Sequence, residues 1–520
     1  MKKILKSKYV NDTALDILRR DGVFICADCG GRGTCGKCRV KVTDAGDLPA
    51  PSEAEEKLLS EQDLSSGVRL ACCLKVGEIS GAEGRLAENG IEVEVPASSL
   101  ICDTESPVII RPEPVSPSEI IAVDYGSTVI SGALVDLNIG IVGNASVINH
   151  QKAYGADVIS RIRAANDGYR EELRHICEDD LAELSIRLGK DPDSARYIIS
   201  GNTVMGHLIS GFSCKGLGEY PYTPVDISLR RDENMTFLPG ISAFVGADIV
   251  SGICACSLDQ TRDPWLYVDI GTNGEMALGT GSEIFAASAP AGPAFEGGGI
   301  LYGVPAVPGA VSGVVITGSK AIPSIIQETN DMADLSDSED SGSAADLRDD
   351  EEGGSTAGPV GICGSGIIDL IAELLRNRLM DENGTLISDF ADDGFPAAGN
   401  VVVTQKDIRE IQKAKAAIRA GIETLIAESG IKMKDIKKLV IAGSFGASIS
   451  MDNAARIGLI PEELLPVSAT AGNASLNGAT LYAIDPGFGA RLKKAVESAK
   501  VIELSELPDF GARYISHMGF

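Results

Sequence analysis

A short stretch near the N-terminus, residues 26–38, constrains the fold of this chain more than any other feature. It reads Cys-Ala-Asp-Cys-Gly-Gly-Arg-Gly-Thr-Cys-Gly-Lys-Cys, with four cysteines and four glycines within thirteen residues. Glycine at this density disfavours helix and strand, which indicates a loop. The chain has 12 cysteines in 520 residues and no secretory signature. A disulfide knot is therefore disfavoured, and a metal or cluster bound by thiolates is favoured.

The spacing of the cysteines favours a [2Fe–2S] cluster. Cys29, Cys35 and Cys38 fall in one tight loop, and Cys72 or Cys73 follows at a distance. This three-plus-one pattern is close to the C-x4-C-x2-C…C spacing of plant-type ferredoxins, with one additional residue in the first gap. Zinc bound by the two C-x-x-C pairs of the loop is the alternative, although five residues between the pairs is short for a zinc site.

In this motif the chain resembles the vertebrate-type and bacterial [2Fe–2S] ferredoxins with a five-residue first gap. The ligands that the resemblance implies are Cys29, Cys35, Cys38 and Cys72. Cys73 is the alternative fourth ligand, and Cys26 is a neighbour without a ligand role. Short helix and strand patterns on both sides of the loop, with capping residues before each helix, predict a β-grasp domain over residues 1–97.

Composition and charge limit the partners and the location. Mean hydropathy is +0.09, and no run of eighteen apolar residues exists, which predicts a soluble, cytoplasmic protein that does not bind membranes. The formal net charge of −28 argues against nucleic acid and against anionic lipid surfaces. Four prolines mark residues 98–118 as a linker, and dense acidic residues mark 327–358 as a flexible insert.

Two related strand–turn–strand patterns follow the linker, at residues 120–136 and 265–278. In each, an apolar strand ends at an aspartate, Asp124 or Asp269, and a Gly-Ser/Thr turn leads into a second strand. The N–H and hydroxyl groups of such a turn can hold phosphate oxygens, and the carboxylate can hold Mg²⁺ through water. The repetition predicts a duplicated fold with a nucleotide cleft between residues 119–262 and 263–520.

A third pattern completes this set. Residues 437–442 read as a buried strand that leads into Gly443-Ser444-Phe445-Gly446-Ala447, whose glycines allow a flat nucleoside to approach. Together the three patterns resemble the phosphate-1, phosphate-2 and adenosine motifs of the acetate kinase, sugar kinase, Hsp70 and actin superfamily. The resemblance implies an α/β multidomain protein with a duplicated ribonuclease H-like ATPase fold behind the β-grasp domain. The residues that it assigns are Asp124 and Asp269 to Mg²⁺ and catalysis, Ser127, Thr128, Gly271, Thr272 and Asn273 to the phosphates, and Gly443, Ser444 and Gly446 to the nucleoside.

Further segments, at 149–162, 201–208, 245–248, 291–297, 362–366 and 405–418, extend the resemblance over nearly the whole chain. With the ferredoxin motif, they resemble the reductive activators of corrinoid-dependent methyltransferases. The resemblance implies an ATP-dependent iron–sulfur reductase that passes one electron from a [2Fe–2S] cluster to Co(II) of an inactivated corrinoid protein and restores Co(I). An upstream low-potential electron donor is also implied. The alternatives are a small-molecule kinase with a ferredoxin redox sensor and an electron carrier indifferent to ATP. The sequence leaves the oligomeric state open, with a homodimer as one option.

Overall fold

The computed structural model describes most of the chain and leaves out several segments. The described residues are 2–6, 12–21, 23, 25, 27, 29, 31–44, 48–76, 90–96, 119–138, 140–327, 358–443 and 449–520. The predicted linker 98–118, the interior of the predicted insert 327–358, Cys26, Ser444 and Gly446 lie outside them. Across these described ranges, no helix has both the length and the apolar character needed to cross a membrane.

The described part of the N-terminal domain is a four-stranded sheet with short helices. Its elements are β1 (Lys2–Leu5), α1 (Ala14–Arg20), β2 (Arg39–Asp44), α2 (Glu53–Leu58), α3 (Glu61–Ser65), β3 (Val68–Leu70) and β4 (Ile91–Glu94). The strands lie in the order β1-β4-β2-β3, and neighbouring strands are antiparallel. Leu15 and Leu18 of α1 pack with Val40 of β2 and Val93 of β4 to form the core.

The three helices described in this domain begin at capping boxes, and the sequence predicts the one at Ser52. Thr13 pairs with Asp16 at the start of α1, Ser52 with Glu55 at the start of α2, and Ser60 with Asp63 at the start of α3. A capping box satisfies two backbone N–H groups, which reduces the cost of starting a short helix.

Glu55 also connects α2 to β3. Its buried carboxylate accepts hydrogen bonds from Arg69 at 2.8 and 2.9 Å and from the backbone N–H of Leu70 at 3.0 Å. Arg69 is buried as well. Because β3 ends two residues before Cys72, this ion pair holds in place the strand that delivers the remote cysteine.

The first half of the remaining chain is a six-stranded sheet with helices packed on it. Its strands are β5 (Glu119–Tyr125), β6 (Val129–Asp136), β7 (Gly140–Ile148), β8 (Tyr197–Gly201), β9 (Arg230–Asp232) and β10 (Met235–Phe237). Its helices are α4 (Val158–Ala164), α5 (Arg170–Arg187), α6 (Thr203–Ile209), α7 (Lys215–Gly218) and α8 (Ala247–Ala255). The strand order is β7-β6-β5-β8-β10-β9, in which β5, β8 and β10 run parallel and β6 is antiparallel to both neighbours.

The second half repeats this sheet and adds two smaller ones. Its strands are β11 (Trp265–Ile270), β12 (Gly274–Gly279), β13 (Ile284–Ala289), β14 (Ala310–Thr317), β15 (Lys320–Ile325), β16 (Gly361–Ile362), β17 (Phe395–Ala398), β18 (Val401–Val403), β19 (Lys438–Ala442), β20 (Ser468–Gly472) and β21 (Ala499–Val501). Its helices are α9 (Gly364–Arg376), α10 (Gln405–Ser429), α11 (Met451–Arg456), α12 (Ala474–Ile484), α13 (Phe488–Glu497) and α14 (Pro508–Ser516). The larger sheet has the order β20-β19-β11-β12-β13-β21.

The two large sheets share one plan, which confirms the predicted duplication. In each, a three-stranded antiparallel meander is extended by two parallel strands beside its first strand: β7-β6-β5 with β8 and β10, and β13-β12-β11 with β19 and β20. Helix α8 of the first half packs on α12 of the second. A chain of serine hydroxyls crosses this contact, from Ser475 to Ser200 at 2.9 Å and from Ser200 to Ser251 at 2.7 Å.

The longest helix of the second half is close to its prediction from sequence. An amphipathic helix is predicted over 404–428, and α10 spans Gln405–Ser429 with Thr404 as its N-cap. Its apolar stripe, which includes Ile411 and Ile418, is buried in the core of this half. The apolar period of the sequence, the N-cap residue and the burial of the apolar face therefore all agree with the predicted helix.

We expect Glu55→Ala to destabilise the N-terminal domain by about 3–5 kcal/mol, because it leaves the buried Arg69 guanidinium without its partner. Glu53→Ala is the matched control on the same helix, since the Glu53 side chain is 83% exposed. Hydrogen exchange of the amides of residues 68–72 in the full chain measures the difference. Equal exchange in the two variants would contradict the role given to this ion pair.

The same contact should depend on pH. Burial opposes ionisation of Glu55, but hydrogen bonds from Arg69, Ser52 and Leu70 outweigh it and lower the pKa of the carboxyl. The stabilisation is therefore complete above the pKa of an unfolded glutamate, about 4.3, and is lost as the pH falls through the lowered folded pKa.

Candidate cluster and nucleotide sites

The four predicted cluster ligands form two sulfur pairs. The side chains of Cys29 and Cys35 lie close enough that each shifts the pKa of the other. Sγ of Cys38 lies 3.4 Å from Sγ of Cys72. The remote cysteine, which β3 delivers, thus meets the end of the cysteine loop.

Glycines give the loop its tight path around the first pair. Gly31, Gly33 and Gly36 have φ values of +97°, +70° and +71°, a region that residues with side chains rarely adopt. This path directs the backbone N–H groups of Gly31 and Thr34 at the sulfur of Cys29. Hydrogen bonds of this kind to ligand sulfurs tune the potential of an iron–sulfur centre.

Each pair combines one acidic and one weakly acidic thiol. A hydrogen bond from Cys35 lowers the pKa of Cys29 to about 4, and the same contact raises the pKa of Cys35. The contact with Cys72 likewise lowers the pKa of Cys38, while the pKa of Cys72 is raised. The lowered pKa values of Cys29 and Cys38 favour the thiolate, the form in which cysteine binds metals.

The ligand requirements of a two-iron cluster and of a single zinc ion differ. Two irons held by four thiolates need two pairs, and two pairs are present. A zinc site needs four ligands converging on one ion, and here it would also need Cys26.

Cys73 lies beside the second pair in a different environment. Its Sγ is 3.7 Å from Sγ of Cys72. Hydrogen bonds, first from Cys72 and then from Ser52, lower its pKa to about 7. Sγ of Cys73 also lies beside the cysteine loop, since a Cβ added at Gly33 would be 3.3 Å from it, whereas Sγ of Cys72 contacts Sγ of Cys38 directly. The contact with Cys38 supports Cys72 as the predicted fourth ligand, and Cys73 stays the alternative.

A second site lies in the cavity between the two halves. The residues predicted to bind nucleotide that line it are Asp124, Ser127, Thr128, Asp269, Gly271, Thr272, Asn273 and Gly443. The β5–β6 and β11–β12 hairpins bring their turns to opposite walls of this cavity. The two repeated patterns therefore face each other across one space.

Hydroxyl groups of the two turns meet across the cavity. Oγ of Ser127 lies 2.8 Å from Oγ1 of Thr272. Oγ1 of Thr128 donates a hydrogen bond to Oε2 of Glu296 at 2.8 Å, and Oγ1 of Thr272 donates to the same oxygen. The carboxylate of Glu296 thus occupies the point where donors from both halves converge, as an anionic phosphate would.

Five carboxylates line this cavity: Asp124, Asp248, Asp269, Glu275 and Glu296. Removal from water raises the pKa of Asp124, Asp269 and Glu275, and raises that of Asp248 to about 7. Negative charge on neighbouring carboxylates adds to each shift. A bound cation would reverse this effect, because an opposite charge favours the ionised form.

Amide and hydroxyl groups hold two of these carboxylates from the opposite half. Asn473 donates to Asp124 at 2.9 Å and Ser475 donates to it at 2.7 Å. Asn202 donates to Glu275 at 3.0 Å. Every one of these bonds spans the cleft, so the carboxylates also join its walls.

Gly443 ends β19 at the floor of the cavity. Its φ is +119°, and a Cβ added there would lie 2.5 Å from the carbonyl oxygen of Ile270. Only glycine fits without displacing β11, which carries Asp269. Ser444 and Gly446, predicted with Gly443 to contact the nucleoside, stay predictions.

Known proteins share this arrangement. Family models match three consecutive regions: the 2Fe-2S iron-sulfur cluster binding domain over 7–77, the RACo middle region over 120–261, and the C-terminal domain of RACo, the ASKHA domain, over 263–520. The corrinoid activation enzyme RamQ of Eubacterium limosum is 32% identical over 448 residues, which cover 77% of this chain and 70% of that protein. The chain belongs to the RACo family.

Two further relatives of this RACo family chain are informative. The [Co(II) methylated amine-specific corrinoid protein] reductase of Methanosarcina barkeri is 33% identical over 274 residues, which cover 52% of this chain and 47% of that protein. A solved structure, the reductive activator for corrinoid,iron-sulfur protein, superposes with a TM-score of 0.67 at 24% identity and covers 100% of this chain and 98% of its own. That likeness confirms the predicted fold class, and the family models confirm the predicted family.

Several cavity residues of this RACo family chain are missed by the motif analysis. They are Asn202, Asp248, Glu275, Glu296, Asn473 and Ser475. Glu275 could have been found from the sequence, because the pairing of β11 with β12 through a short turn places it opposite Asp269. The others come from helix starts and loops, whose approach to the cavity no local period reveals.

We expect Cys72→Ser to lose the visible absorption of the iron–sulfur centre, because it removes the sulfur that contacts Cys38. Cys73→Ser should keep both the absorption and two irons per chain. Iron analysis and visible spectra of the two purified variants measure this. Loss in Cys73→Ser with retention in Cys72→Ser would reverse the assignment.

Asp269→Asn and Glu296→Gln should change ATP binding in opposite directions. The first removes a carboxylate available to Mg²⁺ and should weaken Mg²⁺–ATP binding by roughly tenfold or more. The second removes a negative charge from the point where hydroxyl donors converge and should strengthen it. Isothermal titration with Mg²⁺–ATP measures both, with Asp263→Asn, at an exposed residue before β11, as the control. Unchanged affinity in both variants would contradict the assigned phosphate site.

Proposed function

We propose that this protein is an ATP-dependent reductive activator of a corrinoid protein. It transfers one electron to Co(II) of an inactivated partner and so restores Co(I) for methyl transfer. The observation that carries the proposal is the presence, in one chain of the RACo family, of two cysteine pairs and a carboxylate-rich cleft between duplicated halves. RamQ, which is named a corrinoid activation enzyme, and the Methanosarcina barkeri protein, which is named a reductase of a Co(II) corrinoid protein, support it.

The electron leaves from the N-terminal domain. In the proposal Cys29 and Cys35 hold one iron of a [2Fe–2S] cluster, and Cys38 and Cys72 hold the other. When bound, the cluster supplies a single electron at low potential, near roughly −400 mV for plant-type centres. The protein contributes the two thiolate pairs and the N–H groups directed at Cys29. An upstream low-potential donor restores the electron.

ATP binds in the cleft. Hydroxyls of Ser127, Thr128 and Thr272 hold the phosphates, with the turns around Gly271 and Asn273, and the nucleoside lies towards Gly443 and the loop with Ser444 and Gly446. Asp124 and Asp269 hold Mg²⁺ through water, which suits an ion that keeps several waters and takes one or two carboxylates. Their position in a cavity lined by three further carboxylates supports this role, because a bound cation would offset the repulsion among these groups.

Bound nucleotide influences electron transfer by changing the conformation of the cleft. A ligand moves an equilibrium only by its differential affinity for the two states. Phosphate and the carboxylate of Glu296 compete for the same donors, Thr128 and Thr272. The cleft with nucleotide therefore differs from the cleft without it on both walls, and the partner protein binds one of these states more tightly.

Two other functions use the same parts. A small-molecule kinase with a redox-sensing ferredoxin domain would phosphorylate a metabolite without any cobalt protein. An electron carrier with an inactive nucleotide fold would reduce its partner at a rate independent of ATP. Membership of the RACo family and the polar residues that line the cavity favour the reductive activator. Cytoplasmic location is a further part of the proposal, and a homodimer is one option for its assembly.

The deciding experiment follows the cobalt spectrum of a candidate Co(II) corrinoid protein after addition of the reduced protein. We expect conversion to Co(I) with Mg²⁺–ATP and little conversion without it, because the step is uphill for the cluster alone. Cys35→Ser should abolish the conversion of Co(II) to Co(I) at every ATP concentration. Asp269→Asn should keep the slow conversion seen without ATP and lose most of its acceleration by Mg²⁺–ATP.

Equal rates with and without ATP would favour the plain electron carrier. ATP-dependent phosphorylation of a small molecule, with no change in the cobalt spectrum, would favour the kinase. Either result would overturn the proposal.

A further inference from the structure

Helix α1 of the N-terminal domain contacts the first half of the cleft through Arg19. The guanidinium carbon lies 4.2 Å from the centre of the Tyr154 ring, and Nη2 donates a hydrogen bond to the carbonyl oxygen of Ala153. The Arg19 side chain is only 6% exposed. The ring of a tyrosine attracts a guanidinium over its face, more strongly when water is excluded.

A second tyrosine completes the surface that receives α1. The Tyr169 ring lies 5.4 Å from the Tyr154 ring, centre to centre. Burial raises the pKa of Tyr169, and the charges of Asp16 and Arg19 on α1 act on it as well. We call residues 150–169 the seat. It comprises the short turn His150–Tyr154, helix α4 and the residues that lead into α5.

The seat is also fastened to the turn that carries Ser127 and Thr128. Just before it, the side chain of Asn149 donates to the carbonyl oxygen of Gly126 at 2.9 Å, and the backbone N–H of Asn149 donates to the carbonyl oxygen of Thr128 at 3.0 Å. Within it, Arg161 donates to the carbonyl oxygen of Ser127. One segment thus contacts the cluster domain on one side and the phosphate turn on the other.

Arg161 joins the two sides of the seat. Its guanidinium is fully buried, and Nε donates to the carbonyl oxygen of Gly155 at 3.0 Å, next to Tyr154. Among the ion pairs of the described residues, none includes Arg161. Its direct hydrogen bonds go to neutral groups, and the negative charges of Asp157 and Glu296 act on it as well. A buried cation without a direct anionic partner favours additional negative charge nearby.

We propose that residues 150–169 are a docking seat for the iron–sulfur domain, and that nucleotide at the Ser127–Thr128 turn strengthens this docking through Arg161. The second part rests on the nucleotide site of the proposed function. A phosphate that takes the place of the Glu296 carboxylate at this turn carries more negative charge than a carboxylate, and so attracts the Arg161 guanidinium more strongly. Arg161 is then held in the position that fixes the carbonyls of Ser127 and Gly155, and with them the ring of Tyr154.

The coupling is reciprocal. If bound nucleotide strengthens docking by some factor, docking strengthens nucleotide binding by the same factor. Weakening the contact at Arg19 must therefore weaken nucleotide binding, although Arg19 belongs to another domain and does not line the cavity. A contact that serves only to pack the two domains would have no such effect.

The test compares full-length variants by hydrogen exchange of residues 150–169 and by titration with Mg²⁺ and a non-hydrolysable ATP analogue. Arg19→Glu replaces attraction to the Tyr154 ring by repulsion. Tyr154→Leu removes the ring but keeps an apolar side chain at a buried position. Lys57→Glu is the control, since it makes the same charge change on α2 at a side chain that is 70% exposed.

Arg19→Glu and Tyr154→Leu should each speed exchange in the seat and raise the Kd of the analogue by roughly fivefold or more, while Lys57→Glu should leave both unchanged. The double variant should be no worse than the poorer single variant, because both remove one contact. If the amides of residues 150–169 exchange at the same rate in Arg19→Glu as in the parent protein, the seat is not a docking surface for the iron–sulfur domain. Faster exchange with an unchanged Kd would overturn the coupling alone. A parent protein that does not bind the analogue would overturn the proposed nucleotide site, and the coupling with it.

Discussion

The constraint on which the structure most depends is the gathering of five carboxylates in one cleft. Two like charges 4 Å apart repel by about 1 kcal/mol in water, and by about 4 kcal/mol at the effective dielectric constant of about 20 found near protein surfaces. Asn473, Ser475 and Asn202 offset part of this cost with hydrogen bonds across the cleft. Raised pKa values show that protonation offsets more of it. A cation bound in the cleft would offset most of the remaining repulsion among the carboxylates. The negative charge of the cleft walls therefore suits a ligand that contains a cation.

The fold was predictable because its signals are local and repeated. The strand ending at Asp124 and the strand ending at Asp269 carry the same turn, and equal turns in equal strands imply equal halves. The capping boxes at Thr13, Ser52 and Thr404 could be read from residue types three apart. Short spacing also located the cysteine loop, since three of its ligands lie within ten residues of one another.

The remaining site residues depend on tertiary contacts that no short pattern contains. Ser475 reaches Asp124 because α12 packs on β5, and Glu296 reaches Thr128 because a loop of one half meets a turn of the other. The choice between Cys72 and Cys73 is of the same kind. Cys72 and Cys73 are adjacent, so their spacing from the cysteine loop does not separate them as ligands. The direction of the chain after β3 decides which of the two sulfurs contacts Cys38.

The exchange of Glu296 for phosphate gives the proposed mechanism a two-state element. With Glu296 in place, one carboxylate oxygen joins Thr128 of the first half to Thr272 of the second. A phosphate that takes these donors releases Glu296 and the loop that carries it, and it replaces the single negative charge of the carboxylate at this turn by the larger charge of a phosphate. Both walls therefore change together, and the seat changes with the first wall, because Asn149 and Arg161 are bonded to that turn. Nucleotide can thus influence an iron–sulfur domain that never enters the cavity, provided that the domain contacts the seat.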